Sequence, residues 1–387
     1  MKTDTANHPR SGNIVAFDRA RTFVVLLVVI YHAASNYQYF GHGDHHRWIG
    51  FDVFVLLADS FFMPLMFFIS GLFVWPSLHR KGATIFLRNR LRRLGMPYLV
   101  SIFIVVPIAY YPSFLLYHLP GTTDFNFLHF CKRTFTAGPW PSGPAWFLWV
   151  LLLFNAGFAS IAYIIPAALG RIRRILDTHR DRPAMILTGL ALLTIAIYLP
   201  SRLAFGPDDW LAFGPVSVQS SRILLYLTYF ILGTAVGTST LDRGLFEENS
   251  TFARRWAAWL TFALVLFYAL AAMIFTKASS PGTVPHQIIE GCCLSVFCAA
   301  MSFAVLAVAV RFSKSCNAAW RFLDAMTPVA YGIFLMHFIF IMWLQYALYS
   351  LQLPAIAKFA AVLTGTLGLS WALARILRMV PIVARTI

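Results

Sequence analysis

Apolar residues fall into long runs along this chain, separated by shorter polar segments. Ten runs stand out, at about 22–40, 50–75, 96–117, 145–169, 184–200, 222–241, 256–276, 286–310, 327–349 and 355–376. Most exceed the roughly 20 residues that an α-helix needs to cross the hydrocarbon core. The run at 184–200 is the shortest. Unpaired backbone groups are costly in lipid, so each run is predicted to be helical. The pattern therefore predicts an all-α polytopic membrane protein with about ten transmembrane helices.

The basic residues test that count. Alternating the loops from side to side puts 24 of the 31 Lys and Arg on the side of the N-terminus. Only Arg47, Lys132, Arg133, Arg202, Arg222, Lys277 and Lys358 fall on the other. Lys and Arg accumulate on the cytoplasmic side of membrane proteins, so both termini are expected in the cytoplasm. The expected organisation is a tail over 1–20, a single transmembrane domain over 21–376 and a second tail over 377–387. Composition agrees. The chain is 59% hydrophobic and 12% charged, about half the charge of a soluble protein. Its net charge of +16 is explained by topology and implies membrane lipids, not nucleic acid, as its surroundings. No leading segment has the form of a cleavable signal peptide. The five cysteines form no CxxC pair, which argues against zinc or redox chemistry.

Polar residues inside the runs carry the chemistry. His32 follows the apolar stretch Phe23 to Tyr31. It lies eleven residues beyond Arg21, roughly 16 Å along a helix and on nearly the same side. His337 lies ten residues after Thr327, at a similar depth of roughly 15 Å. Two imidazoles at one depth suggest a polar pocket, and imidazole is the side chain best suited to take a proton near neutral pH. An interhelical hydrogen bond is the simpler alternative for each. Tyr331 lies below His337, and Asp324 or Thr327 is expected to cap the helix ahead of Pro328. Asp52 and Asp59 share a face of the second run, where a carboxylate is functional by default. Either one can orient an imidazole or meet a substrate. His286 and Glu290 form a possible helix-end contact.

Three further segments matter. "RNRLRR" sets Arg88, Arg92 and Arg93, with Arg90 nearby, at the membrane boundary. Clustered guanidiniums suit phosphates, although topogenic charge or anionic lipid explains them equally. The loop "GHGDHHRW" holds His42, Asp44, His45 and His46, a weak basis for a metal site, and none is expected. Segment 118–144 is long and rich in Pro, Gly and aromatics, as segments covering a site often are. No internal repeat is evident, which weakens a secondary-transporter reading.

Taken together, these segments resemble the membrane acyltransferase-3 superfamily, the O-acyltransferases of bacterial envelope sugars. "RTFVVLLVVIYH" resembles the first-helix pattern of Arg, ten residues, then His. "FFMPLMFFISGLF" is similar to the Met-Pro, Phe-Phe and Ser-Gly signature of the second helix. "RNRLRRLGMPYL", "GPAWFLWVLLLFN" and "YGIFLMHF" resemble the Arg-rich, Trp-Phe-Leu and late Tyr-to-His motifs. The similarity spans residues 18–376, and size points to the glucan-biosynthesis branch, thought to succinylate periplasmic glucans. Phe62 departs from relatives that carry His or Arg there, which bears on the acceptor and not on the class.

The resemblance implies a membrane-bound O-acyltransferase of the bacterial inner membrane. Acyl-CoA would be co-substrate, with no tightly bound cofactor, and a glycan hydroxyl the acceptor. Arg21, Arg88, Arg92 and Arg93 would hold the donor's phosphates. His32 would be the base. His337, Tyr331 or a backbone N–H would meet the oxyanion, with Asp59 as a possible orienting carboxylate. Trp140 and Trp146 are candidates to stack on a sugar. Ser70 is the nearest nucleophile, but its place in "ISGLF" suits close helix packing, so direct transfer is favoured. Two rivals are a proton-coupled exporter of an anionic metabolite, using His32 with Asp59, and a non-enzymatic envelope scaffold. Oligomeric state is left open.

Overall fold

In the computed structural model, which describes residues 12–41, 43–117, 126–138, 140–162, 164–238, 244–276 and 283–384, the apolar runs are helices. Among the described residues, eight helical stretches are long and apolar enough to cross a membrane. The first, Ile49–Lys81, is broken into α2 (Ile49–Asp59), α3 (Phe62–Leu72) and α4 (Val74–Lys81). Gly82 then turns the chain with φ 73°, a value that suits glycine. The others are α5 (Ala83–Leu116), Gly143–Ser160, whose α-helical part is α7 (Trp146–Ser160), α9 (Pro183–Phe205), α11 (Trp256–Thr276), α12 (Val284–Arg311), α14 (Ala330–Leu348) and α15 (Ala355–Leu377). α1 (Gly12–Ser35) is long enough but carries Asp18, Arg19 and Arg21, and α10 (Ile223–Val236) is shorter. Short amphipathic helices connect them: α6 (Phe127–Thr136) within the segment 118–144, α8 (Pro166–Thr178) and α13 (Ala318–Met326). Residues 118–125 and 139 of that segment lie outside the described ones.

Helix α1 begins within the segment assigned to the N-terminal tail, 1–20. α1 starts at Gly12, and Ala16, Phe17, Arg19 and Ala20 are buried. Arg19 can be helical and buried because its charge is fully met. Its guanidinium donates to Asp324 twice at 2.7 Å and to the carbonyls of Phe312, Ser313 and Ser315. Those carbonyls sit at and just beyond the end of α12, where a cation is favourable. Asp324 is thereby committed to Arg19 and does not cap a helix. Asn317 caps α13 instead, and Thr327 bonds back to Leu323 and across to Thr22.

The bundle also contains a hairpin that the all-α expectation omits. β1 (Trp210–Phe213) pairs antiparallel with β2 (Val216–Gln219) around Gly214–Pro215, with Gly214 at φ 54°. Its loop meets the bundle through Tyr98, whose hydroxyl donates to Pro215, and Trp149, whose N–H donates to Ser217 at 3.1 Å.

Packing is tightest between α3 and α10. A Cβ on Gly233 would lie 2.0 Å from the Phe68 carbonyl oxygen, and one on Gly71 would lie 2.3 Å from that of Phe230. These contacts are backbone against backbone, so only glycine permits the approach. Ser70 neighbours this seam.

α5 is irregular where the arginines lie. Its turns Leu91–Gly95 and Ser101–Val105 are π-helical, a feature frequent at functional sites. Pro97 has no N–H to give the carbonyl of Arg93 four residues earlier. The hydroxyl of Tyr331 donates to that carbonyl instead, at 2.5 Å. Pro112 leaves the Ile108 carbonyl open in the same way, and the indole of Trp343 donates to it at 3.0 Å. Both donors sit on α14, so two prolines in α5 determine where α14 docks.

Candidate active site

α1 packs side by side with α14 and with the end of α13 and the turn that lead into it, in one register as far as His337. Arg19 meets Asp324 and Thr22 meets Thr327, and in each case the partners are 305 residues apart. The same offset relates His32 to His337, whose ring centroids lie 5.4 Å apart with planes inclined by 33°. Further along α14, Gln345 donates to the carbonyl of Ala33 at 3.4 Å. The contacts of Arg19 and Thr22 set the register below the rings, and similar rise along each segment brings the imidazoles to one level.

The two rings have different surroundings. His337 is fully buried, whereas His32 is half-buried. Nδ1 of His337 lies 2.7 Å from the carbonyl oxygen of Phe334. A carbonyl only accepts, so Nδ1 carries the hydrogen and the neutral ring presents Nε2 as an acceptor. That Nε2 is buried without a hydrogen-bond partner, and leaving such a group unmet is costly. It can accept from His32, directly or through one water. His32 is further bounded by Tyr31 at 5.1 Å and Phe338 at 5.3 Å between ring centroids, both edge-on. The arrangement provides one anchored imidazole beside a second; an N–H of His32 given to Nε2 of His337 would fix the His32 tautomer, the part an orienting group plays for a general base.

The other candidate residues are distributed as follows. Tyr331 is directed to Arg93 and not to the imidazoles. Arg88, Arg92 and Arg93 are exposed on α5, and Arg90 lies over the ring of Phe86. Arg21 is partly exposed and pairs with Asp18 at 3.0 Å. Asp59 orients no imidazole here. Its carboxylate takes Arg222 at 2.6 Å, and its carbonyl takes the same guanidinium at 2.9 Å. Asp52 accepts from the backbone N–H groups of Tyr39 and Phe40 and so shapes the loop after α1. Trp140 donates to the Ile102 carbonyl and packs on Phe103 and Phe135. Trp146 packs on Phe67, Tyr226 and Trp210. Glu290, expected to contact His286 at a helix end, accepts from Arg202 at 2.6 Å.

In the histidine-rich loop, Asp44 accepts from Lys358 at 2.9 and 3.1 Å and from the N–H of His46 at 2.7 Å. His45 bonds the Tyr349 hydroxyl at 2.9 Å, and His42 lies outside the described residues. Both side chains of the Asp44–Lys358 pair are fully buried.

Residue-by-residue reading missed Arg222, Arg202, Lys358 and Arg19. A signal was available for the first three. They belong to the few basic residues on the sparsely charged side, and each is buried against an acid. A cation that breaks the charge bias beside an apolar run implies a buried partner.

A comparison with curated proteins gave no match. The acyltransferase domain family matches residues 14–375, nearly the whole chain and all of the helices that carry the site. The histidine of the first helix, the arginines of α5 and the histidine of α14 thus lie in one acyl-transfer domain, and the chain belongs to the acyltransferase-3 superfamily of membrane acyltransferases.

Proposed function

We propose that this chain takes a succinyl or acetyl group from cytoplasmic acyl-coenzyme A and places it on a hydroxyl of an envelope or periplasmic glycan. The setting is the inner membrane of a bacterium, with ten crossings and both termini in the cytoplasm, and the resemblance to the glucan-biosynthesis branch favours a glucan acceptor. The observation that carries this reading is the pair of imidazoles, 5.4 Å apart, one of them on a helix that meets the arginine-bearing α5 at the Arg93 carbonyl. His32 removes the acceptor's proton as its oxygen attacks the thioester carbonyl. The C–O bond forms, the C–S bond breaks, and His32 returns the proton to the leaving sulfur. His337 orients His32. Because its Nδ1–H is committed to Phe334, the neutral ring has no hydrogen to offer an oxyanion, so a backbone N–H is the better donor there.

Donor placement follows from α14. Tyr331, held to Arg93, precedes His337 by six residues, roughly 9 Å along the helix. A phosphorylated head near Arg88, Arg92, Arg93 and Arg21 therefore leaves the arm of the donor to reach the imidazoles. Replacing Arg88, Arg92 or Arg93 by Gln should weaken acyl-coenzyme A binding about tenfold each, as loss of a charged hydrogen bond does. Calorimetry in detergent reads this, and the difference should shrink at high salt. Unchanged affinity in all three folded variants places the donor elsewhere. Topology has its own check. Reporters fused after Pro207 and Pro354 should read outside, and those after Lys81, Asp177, Glu248 and Lys314 inside. Two consecutive reversals end the ten-crossing arrangement.

The exporter reading asks for His32 to work with Asp59, and Asp59 is engaged by Arg222. Purified protein in liposomes, given succinyl- or acetyl-coenzyme A and a glucan, decides between them. Free thiol and glucan ester should appear in equal amounts. Transport of the anion with the thioester left intact contradicts acyl transfer.

A further inference from the structure

A second cavity, of about 380 Å³, lies between α8, α9, α10 and α12 and shares no residue with the His32–His337 pair. Its walls are aliphatic and aromatic, including Ile172, Ile186, Leu190, Leu232 and Phe303. Polar groups in it are few: His179, whose Nδ1 lies 2.9 Å from the Ile175 carbonyl, Ser302, whose Oγ is buried without a hydrogen-bond partner, and Tyr229. Tyr229 shares a hydrogen bond with Thr194 at 3.3 Å and accepts from Cys298 at 3.6 Å. A sugar or nucleotide would find little to bond there, and only apolar matter gains by entering.

The cavity opens sideways. Ile175, Met185 and Leu193 at its mouth are exposed, and Gly189 on α9 leaves a gap in which an added Cβ would meet nothing within 4 Å. The mouth is flanked by α8. This helix buries Leu169, lines the cavity with Ile172, Ile175 and Leu176, and exposes Arg171, Arg173 and Arg174. Residues 166–182 hold five arginines against Asp177 and Asp181. Those acids meet Arg173 and Arg180 at 3.4 and 3.6 Å, which leaves a net positive rim. An amphipathic helix of this kind lies at a membrane interface, where basic side chains attract anionic head groups.

We propose that this cavity holds one acyl chain of an anionic membrane phospholipid, with the lipid phosphate resting on the arginines of residues 171–182. The apolar volume selects a chain, the lateral opening admits it from the bilayer, and the arginines select the charge. The site is separate from transfer chemistry and stands or falls independently of it.

Native mass spectrometry of the delipidated full-length protein, titrated with phosphatidylglycerol or phosphatidylcholine of identical chains, tests this. Wild type should bind one phosphatidylglycerol about tenfold more tightly than phosphatidylcholine. Gly189→Leu fills the gap and should reduce the affinity for both lipids about tenfold. Gly157→Leu on α7, where an added Cβ also meets open space, should bind as wild type does. Arg171→Gln with Arg174→Gln should abolish the preference for phosphatidylglycerol and retain the phosphatidylcholine affinity. Leu232→Trp, which enters from α10, repeats the filling test if Gly189→Leu does not fold. Equal binding by wild type and the filled variant overturns the proposal, as does equal affinity for the two lipids. A site that takes palmitoyl-coenzyme A and refuses phosphatidylglycerol also overturns it.

Discussion

His32→Gln should lose at least about 100-fold in acyl transfer while binding acyl-coenzyme A almost normally. Glutamine keeps a donor and an acceptor, so it can replace a histidine that only packs and hydrogen-bonds. It is not a base near neutral pH, and general-base contributions are typically about 10²- to 10⁴-fold, or roughly 3–5 kcal/mol of barrier. The two roles are therefore separated by a wide margin. His337→Gln should cost less, about tenfold, because an amide can still accept from His32 while losing the anchored geometry. The assay must read donor binding and turnover separately, since misfolding imitates both. Transfer within about fivefold of wild type in a folded His32→Gln protein would remove His32 as the base and make His337 the next to test.

Lys358→Met should destabilise the fold by about 3–5 kcal/mol. The ammonium and the Asp44 carboxylate are both fully buried, and the ammonium also donates to the Tyr349 carbonyl at 3.1 Å. Removing one partner leaves the other charged and enclosed. Asp44 also organises the loop after α1 by accepting from the His46 N–H, so its relaxation would disturb that loop. Replacing both charges is a different matter, because an uncharged pair of similar volume avoids the desolvation cost. Asp44→Asn with Lys358→Met should recover more than half of the loss. A double-mutant cycle in denaturant, on protein in detergent, measures the coupling. Additive effects would show that the two side chains act independently.

The sequence made the helices legible because a bilayer leaves the backbone few choices. It made the level of the histidines legible because rise along a helix is constant. It could not show which helices adjoin. The polar residues Arg19, Thr22 and His32 repeat at the spacing of Asp324, Thr327 and His337, yet that match acquires meaning only once α1 and α14 are seen to be parallel. Asp59 stands out in the sequence as a carboxylate within an apolar run, but its partner Arg222 does not, since the two lie 163 residues apart. Tyr331 was placed beneath His337 correctly by periodicity, but its target depended on Pro97 freeing the Arg93 carbonyl on another helix. The hairpin lies between the runs at 184–200 and 222–241, where "FGPVSVQ" carries a turn signal but only two short strands flank it.

Acyl transfer to an envelope glycan through His32 is tested most directly by mass spectrometry of the envelope glycans, in cells carrying the wild-type gene, no gene, or His32→Gln. An acyl ester should appear on one glycan in the first strain and be lost in the second. The third should retain no more than about 1% of it at equal protein level. The same ester masses in all three strains would contradict this role for His32 and for the chain.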